Sequence, residues 1–240
     1  MRRTLLLTCF LAFALVGRTA SQDAVSLRPD MVKVEFENDQ IRVLRVRYAA
    51  HQKLPMHSHP GRVVVLLTEN YGRATLTNGT TQETRGKAGD LLWRDGGTHE
   101  VENLLDAPVE NIEIEIKKAT SPAVAVINKP EGSAVPQEPV PVQNEPHHRV
   151  VFQNQYVRVL DVFFPVGEAS LYHTHSNDNV SVALSGDKSQ AQPQGEDWGE
   201  AGKVVPGQVG FRKARDHAYT HRVRSAGKLP FHVIDVEIFP

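Results

Sequence analysis

Cysteine is almost missing from this 240-residue sequence: the single example, Cys9, lies close to the N-terminus. Everything after it lacks disulfides, thiol nucleophiles and thiolate ligands, so any transition-metal chemistry must run on histidine and carboxylate. An excess of charge of one sign is missing too. Lys and Arg total 27 against 28 Asp and Glu, a formal net charge of −1, and basic residues cluster nowhere beyond Arg2-Arg3. Nucleic acid and anionic membrane surfaces therefore have no electrostatic argument as partners. Long apolar runs are also lacking. The one candidate, Leu5 to Val16, is twelve residues long, too short to cross a bilayer as a helix. Nor does any segment show the apolar period of an amphipathic helix.

What is present begins with a leader. Arg2-Arg3, the apolar run and the small residues of "GRTASQ" follow one another as in an export signal, so residues 1–21 read as a signal peptide cut near Ser21. The mature chain is then expected to be periplasmic or secreted, with no membrane span. Without disulfides, its stability must come from its core or from bound metal.

The rest of the chain repeats. "FENDQIRVLRVRYAAHQKLPMHSH" (Phe36 to His59) aligns without a gap to "FQNQYVRVLDVFFPVGEASLYHTH" (Phe152 to His175) at an offset of 116. "THEVENLLDAPVENIEIEI" (Thr98 to Ile116) aligns to "THRVRSAGKLPFHVIDVEI" (Thr220 to Ile238) at an offset of 122. Two related domains follow, at residues 30–118 and 147–240. The stretch between them, 119–146, carries Pro122, Pro130, Pro136, Pro139, Pro141 and Pro146. Proline removes backbone donors from helix and central strand alike, so this stretch reads as an extended linker. Within the repeats, short alternating or apolar runs separated by Gly, Asn and Asp predict strands. "IEIEIK" reads as a half-buried strand with its glutamates in water. The expected class is all-β, with each repeat a sandwich or barrel of jelly-roll type.

Histidine supplies the chemistry. Residues i and i+2 of a strand share a face, so His57 with His59, and His173 with His175, can each turn two imidazoles toward one ion. His99 and its repeat counterpart His221, each following a glycine-led strand (from Gly89 and from Gly207), would supply a third. Three neutral imidazoles suit Fe, Zn, Ni, Mn or Cu and leave positions open for water or substrate. His217, four residues before His221, is expected either behind the ligands or facing a substrate, or simply exposed in a loop. His51, on a turn, and His147 and His148, at the linker end, are expected to be exposed. Glu100, beside His99, should point to the opposite face.

"HSH" and "HTH", each with a later "G…H" segment, resemble the two motifs of the cupin superfamily, and the duplication resembles a bicupin of quercetin-dioxygenase-like type. The resemblance implies two tandem cupin-type jelly-roll (double-stranded β-helix) barrels joined by the Pro-rich linker, with one mononuclear divalent metal per barrel. The first family motif has a glycine, five further residues and then HxH. Gly167 fits, whereas His51 stands there in repeat one. The family's ligand glutamate falls at Val63 (Val64 with longer spacing) and at Asn179, which can offer only a weak amide oxygen. The implied ligands are His57, His59 and His99, and His173, His175 and His221, with Fe first among the metals.

An all-neutral ligand set favours an anionic or enolic small molecule on the metal and implies a metal-dependent dioxygenase acting on an aromatic or enol substrate. A non-catalytic metal- or small-molecule-binding protein and a cupin isomerase or lyase stand as alternatives, because one fold hosts many chemistries. Bicupins pack their barrels as a pseudo-dimer, and homo-oligomers are allowed.

Overall fold

A computed structural model describes residues 22–125 and 137–240; the expected signal peptide lies outside the described residues. Repeat one supplies a short helix α1 (Ala24–Leu27) and strands β1 (Val32–Glu37), β2 (Ile41–Tyr48), β3 (Lys53–His59), β4 (Arg62–Leu66), β5 (Asn70–Leu76), β6 (Thr81–Gly86), β7 (Leu91–Arg94), β8 (Gly97–Asn103) and β9 (Val109–Ile116). Then come β10 (Val140–Pro141) and one turn of 3-10 helix at Val142–Asn144. Repeat two supplies β11 (His148–Gln153), β12 (Val157–Phe164), β13 (His173–His175), β14 (Asp178–Ser185), β15 (Lys188–Pro193), β16 (Gly202–Lys203), β17 (Val209–Arg212), β18 (Tyr219–Ser225) and β19 (Phe231–Ile238).

Each repeat folds into two facing sheets. Barrel one pairs β1-β2-β9-β4-β7 against β3-β8-β5-β6; barrel two pairs β11-β12-β19-β14-β17 against β10-β13-β18-β15-β16. The two strand orders are the same once β10 is set aside. That extra strand, from the Pro-rich stretch, runs parallel to β13 and pairs Val140 with His173. Residues 137–145 thus lie on barrel two, with Val142 in its apolar core.

The largest apolar core lies between the barrels. Val63 and Val65 of β4 and Ile112, Ile114 and Ile116 of β9 cluster with Val180 and Val182 of β14 and Ile234, Val236 and Ile238 of β19. The aromatic contacts repeat by pseudo-twofold symmetry. Phe36 stacks on Phe211 with ring centres 4.4 Å apart, and their repeat counterparts Phe152 and Trp93 stack at 5.9 Å. An isologous interface has this property, each patch meeting its own equivalent.

This packing explains why β4 ("RVVVL") is buried throughout. Val63 and Val65 face the other barrel, while Val64 and Leu66 line their own barrel's cavity. It also corrects the reading of "IEIEIK". The isoleucines face the partner barrel, and the alternate residues Glu113 and Glu115 are not in water but 6% and 1% exposed. Alternation here separates two buried faces, one apolar and one lined with carboxyl groups.

Candidate metal centres

β3 and β8 are antiparallel neighbours, with His57 directly opposite His99; β13 and β18 likewise set His173 opposite His221. The strand period places the second histidine of each pair on the same inner face. In barrel one, ring centres lie 4.6 Å apart for His57 and His59, 4.9 Å for His57 and His99, and 5.5 Å for His59 and His99. One nitrogen from each converges within 4.8 Å of the others. The ring orientations are fixed from behind. His57 Nδ1 donates to the Pro55 carbonyl at 2.7 Å. His59 Nδ1 meets the Glu115 carboxylate at 2.5 Å, and Glu115 is held by Arg42, which also pairs with Asp23. Such outer partners leave each Nε2 lone pair for an ion. Burial lowers the His57 pKa to about 4; burial, with Arg62 nearby, lowers His99 to about 3. Both are therefore neutral at pH 7, as metal ligation requires.

An ion pair that motif spacing did not place stands beside this triad. Arg62 Nε lies 2.6 Å from Glu113 Oε2, and both side chains are almost wholly buried. Glu113 Oε2 is 4.0 Å from His59 Nε2, and Arg62 Nη2 is 3.4 Å from His99 Nε2. Arg62 Nη1 is buried with no hydrogen-bond partner among the described residues. Although burial raises the Glu113 pKa, Arg62 overrides it and holds the carboxylate at about 2. Barrel one thus sets an ionised carboxylate beside its histidines at a position that the family motif did not single out. Arg94 joins Arg62 and Glu113 on the wall of a cavity of about 390 Å³, with Tyr48, Val64 and Leu66.

The register shows why the glutamate was sought in the wrong place. Arg62 pairs with Glu115 across β4 and β9, as Asn179 pairs with Glu237 across β14 and β19. Repeat two has one more residue between HxH and this position, so Asn179 and Arg62 are structural equivalents. Val63 points away, into the inter-barrel core. Barrel two keeps a neutral version of the pair: Asn179 Nδ2 donates to both Asp235 oxygens, at 2.7 and 2.8 Å. The Asn179 Oδ1 atom stays buried and unpartnered, consistent with a weak ligand. Burial pushes the Asp235 carboxyl up to about 7.

Barrel two contains the larger correction. His148, expected to be exposed, is 5% exposed. Its ring centre is 4.3 Å from that of His173, and its Nδ1 meets the buried Glu145 carboxylate at 2.5 Å. His148, His173 and His175 are the set whose nitrogens converge within 4.8 Å. His221 lies alongside, its ring centre 4.6 Å from His173 and 5.3 Å from His175, with both nitrogens buried and unpartnered. Burial lowers the pKa of His173 to about 4 and holds His175 and His221 well below the ordinary histidine value.

Of the other histidines, His217 is exposed in the turn before β18, and the structure does not bring it to the cluster. His51 is exposed with Asp106 as partner, and His147 packs half-buried on Phe164. Glu100 faces outward near Lys53, as expected.

No family model matches the chain, and no curated protein matches it. Among solved structures, it is similar to AerE from Microcystis aeruginosa, at 12% identity and TM-score 0.56 over 88% of this chain and 98% of that one. It is also similar to a single-residue variant of oxalate decarboxylase from Bacillus subtilis, at 12% identity and TM-score 0.54 over 82% and 68%. A cupin domain from Bordetella pertussis matches at 26% identity over 36% of this chain and 92% of that one, with TM-score 0.34. The duplicated sheets and two histidine clusters, set beside the AerE and oxalate decarboxylase matches, give the chain a fold of two tandem β-barrels, the architecture that the resemblance to bicupins implied.

Proposed function

We propose that the chain is an exported, metal-dependent enzyme whose reaction runs in barrel one on a small anionic oxygen compound, in a dioxygenase-type reaction on an enol or aromatic hydroxyl. The carrying observation is the arrangement of Arg62 and Glu113 beside the His57, His59 and His99 nitrogens. A bound divalent ion would supply Lewis acidity and, if it is iron, oxygen chemistry. The protein's own groups do the rest. The unpartnered Arg62 Nη1 and the neighbouring Arg94 supply cationic donors for a carboxylate or enolate. Glu113, kept ionised by Arg62, can accept a hydrogen bond from a substrate hydroxyl and so orient it toward the ion. Val64, Leu66 and Leu92 supply an apolar part of the same wall. The order of residues 1–21 supports export, and with it a periplasmic or secreted location.

A lyase or isomerase reading draws on the same wall, since Arg62 and Arg94 beside a metal site also suit a small carboxylic acid held for decarboxylation or rearrangement. The oxalate decarboxylase of similar fold has Mn(II) centres and is named for a dicarboxylate, which supports a manganese arm in the test. Protein purified metal-free is loaded with Fe(II), Mn(II) or Zn(II). Oxygen uptake is then followed with enediols and catechols, and CO2 release with small carboxylates. Oxygen uptake that disappears in His57→Ala and in Glu113→Gln supports the dioxygenase. Turnover without oxygen uptake moves the assignment to lyase or isomerase. Metal binding with no turnover in any arm overturns the enzyme and leaves a binding protein.

A further inference from the structure

The two barrels are not copies where it matters. His148 of β11 pairs with Val162 of β12, and the equivalent place in barrel one, opposite Val46 of β2, is held by Val32. Val32 packs in an apolar cluster with Leu44, Val46 and Leu54. In barrel two the same inward position carries an imidazole beside His173. Behind it stands Glu145, its side chain fully buried. Glu145 Oε2 meets His148 Nδ1 and accepts from the His147 amide, while Oε1 accepts from the Leu171 amide. A carboxylate so fixed locks the ring and leaves Nε2 as the free donor, the arrangement found behind metal-bound histidines. His173 is prepared in the same way, with Nδ1 on the Leu171 carbonyl at 3.0 Å and Nε2 buried without a partner.

A buried histidine that only filled space would not need three neighbours with orphaned nitrogens. Leaving such groups unpaired is costly, and a common ligand removes that cost at once.

We propose that barrel two is built around a four-imidazole metal site in which His148, held by Glu145, joins His173, His175 and His221. We further infer that this site discriminates against Mn2+ in favour of Cu2+, Ni2+ and Zn2+ more strongly than barrel one does. The inference rests on the reading that each barrel binds an ion. The selectivity follows from the donor sets. Imidazole suits copper, nickel and zinc, whereas oxygen donors suit manganese. Barrel one offers three imidazoles with a Glu113 oxygen 4.0 Å from His59 Nε2, while barrel two offers four imidazoles with both Asp235 oxygens occupied by Asn179.

The test uses the full chain carrying His57→Ala and His99→Ala, so that only barrel two reports, and its converse carrying His173→Ala and His175→Ala. Each is stripped of metal and titrated with Cu2+ and Mn2+ by calorimetry, and folding is checked by far-UV circular dichroism. Pulsed EPR of the Cu2+ form counts the coordinated imidazoles. The expected result is a larger Cu2+ to Mn2+ affinity ratio in barrel two and one fewer imidazole after His148→Ala. That substitution should also weaken Cu2+ more than the roughly 10–100-fold expected for losing an outer partner, whereas Glu145→Gln should fall inside that range. Should His148→Ala keep both affinity and imidazole count while His173→Ala abolishes binding, barrel two binds metal without His148 and the four-imidazole site is wrong. Equal metal ratios in the two barrels overturn the selectivity. No Cu2+ binding to barrel two before His148 is changed overturns the site together with the reading beneath it.

Discussion

Arg62 and Glu113 form a buried ion pair, Nε to Oε2 at 2.6 Å, where the equivalent residues of barrel two, Asn179 and Asp235, form a neutral-donor hydrogen-bonded pair. The substitution of a cation for an amide changes the carboxylate opposite it. Arg62 pulls Glu113 down to about 2 against its burial, whereas burial carries Asp235 up to about 7. One fold position thereby sets whether the carboxylate beside each histidine cluster is held fully ionised at neutral pH.

Removing one partner should expose what the pair costs. Arg62→Ala leaves Glu113 buried and uncompensated and should destabilise the protein by roughly 3–5 kcal/mol. Replacing both groups, as Arg62→Met with Glu113→Leu, should recover most of that loss, because an apolar pair of similar volume needs no desolvation. Urea denaturation at pH 7 measures all three proteins against the parent. A double variant no more stable than Arg62→Ala would show that the pair organises the barrel as well as the site.

Much of the centre was legible because strand period and duplication reinforce each other. HxH has only one reading on a strand, and a second copy singles out the same third histidine. Duplication also hid His148. Its counterpart is Val32, so no repeat signal marks it, and its place after a Pro-rich stretch suggested solvent. The glutamates of "IEIEIK" were visible, but alternation cannot distinguish water from a polar cavity. The other face held the answer, since β4 is apolar on both sides and needs a second barrel to cover it. Arg62 was missed because a one-residue difference in the turn after HxH changes which side chain points inward.

The inter-barrel stacks make a quantitative statement of the pseudo-twofold. Phe36 on Phe211 and Trp93 on Phe152 should each show a coupling of about 0.5–1.5 kcal/mol in double-mutant cycles to alanine. Because the core is shared, both barrels should unfold in one transition. Coincident melting by circular dichroism and tryptophan fluorescence tests this, with Trp93 at the interface and Trp198 on barrel two beside Arg222 and Arg224. Two separated transitions would mean that each barrel is stable without the other.

A pH dependence follows from the contact that ties β2 to barrel two. Arg45 donates to the Gly207 carbonyl at 2.7 Å and pairs with Glu110 at 2.5 Å, while Arg47 pairs with the other Glu110 oxygen at 2.9 Å. Burial raises the Glu110 pKa, but Arg47 and Arg45 outweigh it, so the folded value lies below the ordinary 4.5. The unfolded chain therefore binds the proton first as pH falls. The contribution is complete above 4.5 and is lost as pH drops through the folded value. Glu110→Gln should be less stable than the parent by up to about 1 kcal/mol at pH 7, with the gap closing in acid. A gap unchanged from pH 7 to pH 3 would assign the effect to packing.

The turn ahead of each HxH pair offers a reciprocal test. His51 has φ of 55° and Gly167, in the equivalent place, 81°. Both lie in the left-handed region, where a side chain costs about 1–2 kcal/mol. His51 retains only an exposed contact with Asp106, worth little against that cost. His51→Gly should therefore raise thermal stability slightly, offset in part by the greater freedom glycine gives the unfolded chain. A Cβ at Gly167 meets nothing within 4 Å, so Gly167→Ala isolates the backbone cost and should lower stability by about 1–2 kcal/mol. If Gly167→Ala is neutral, the turn relaxes freely, and the histidine in repeat one has been tolerated at no expense to the site it precedes.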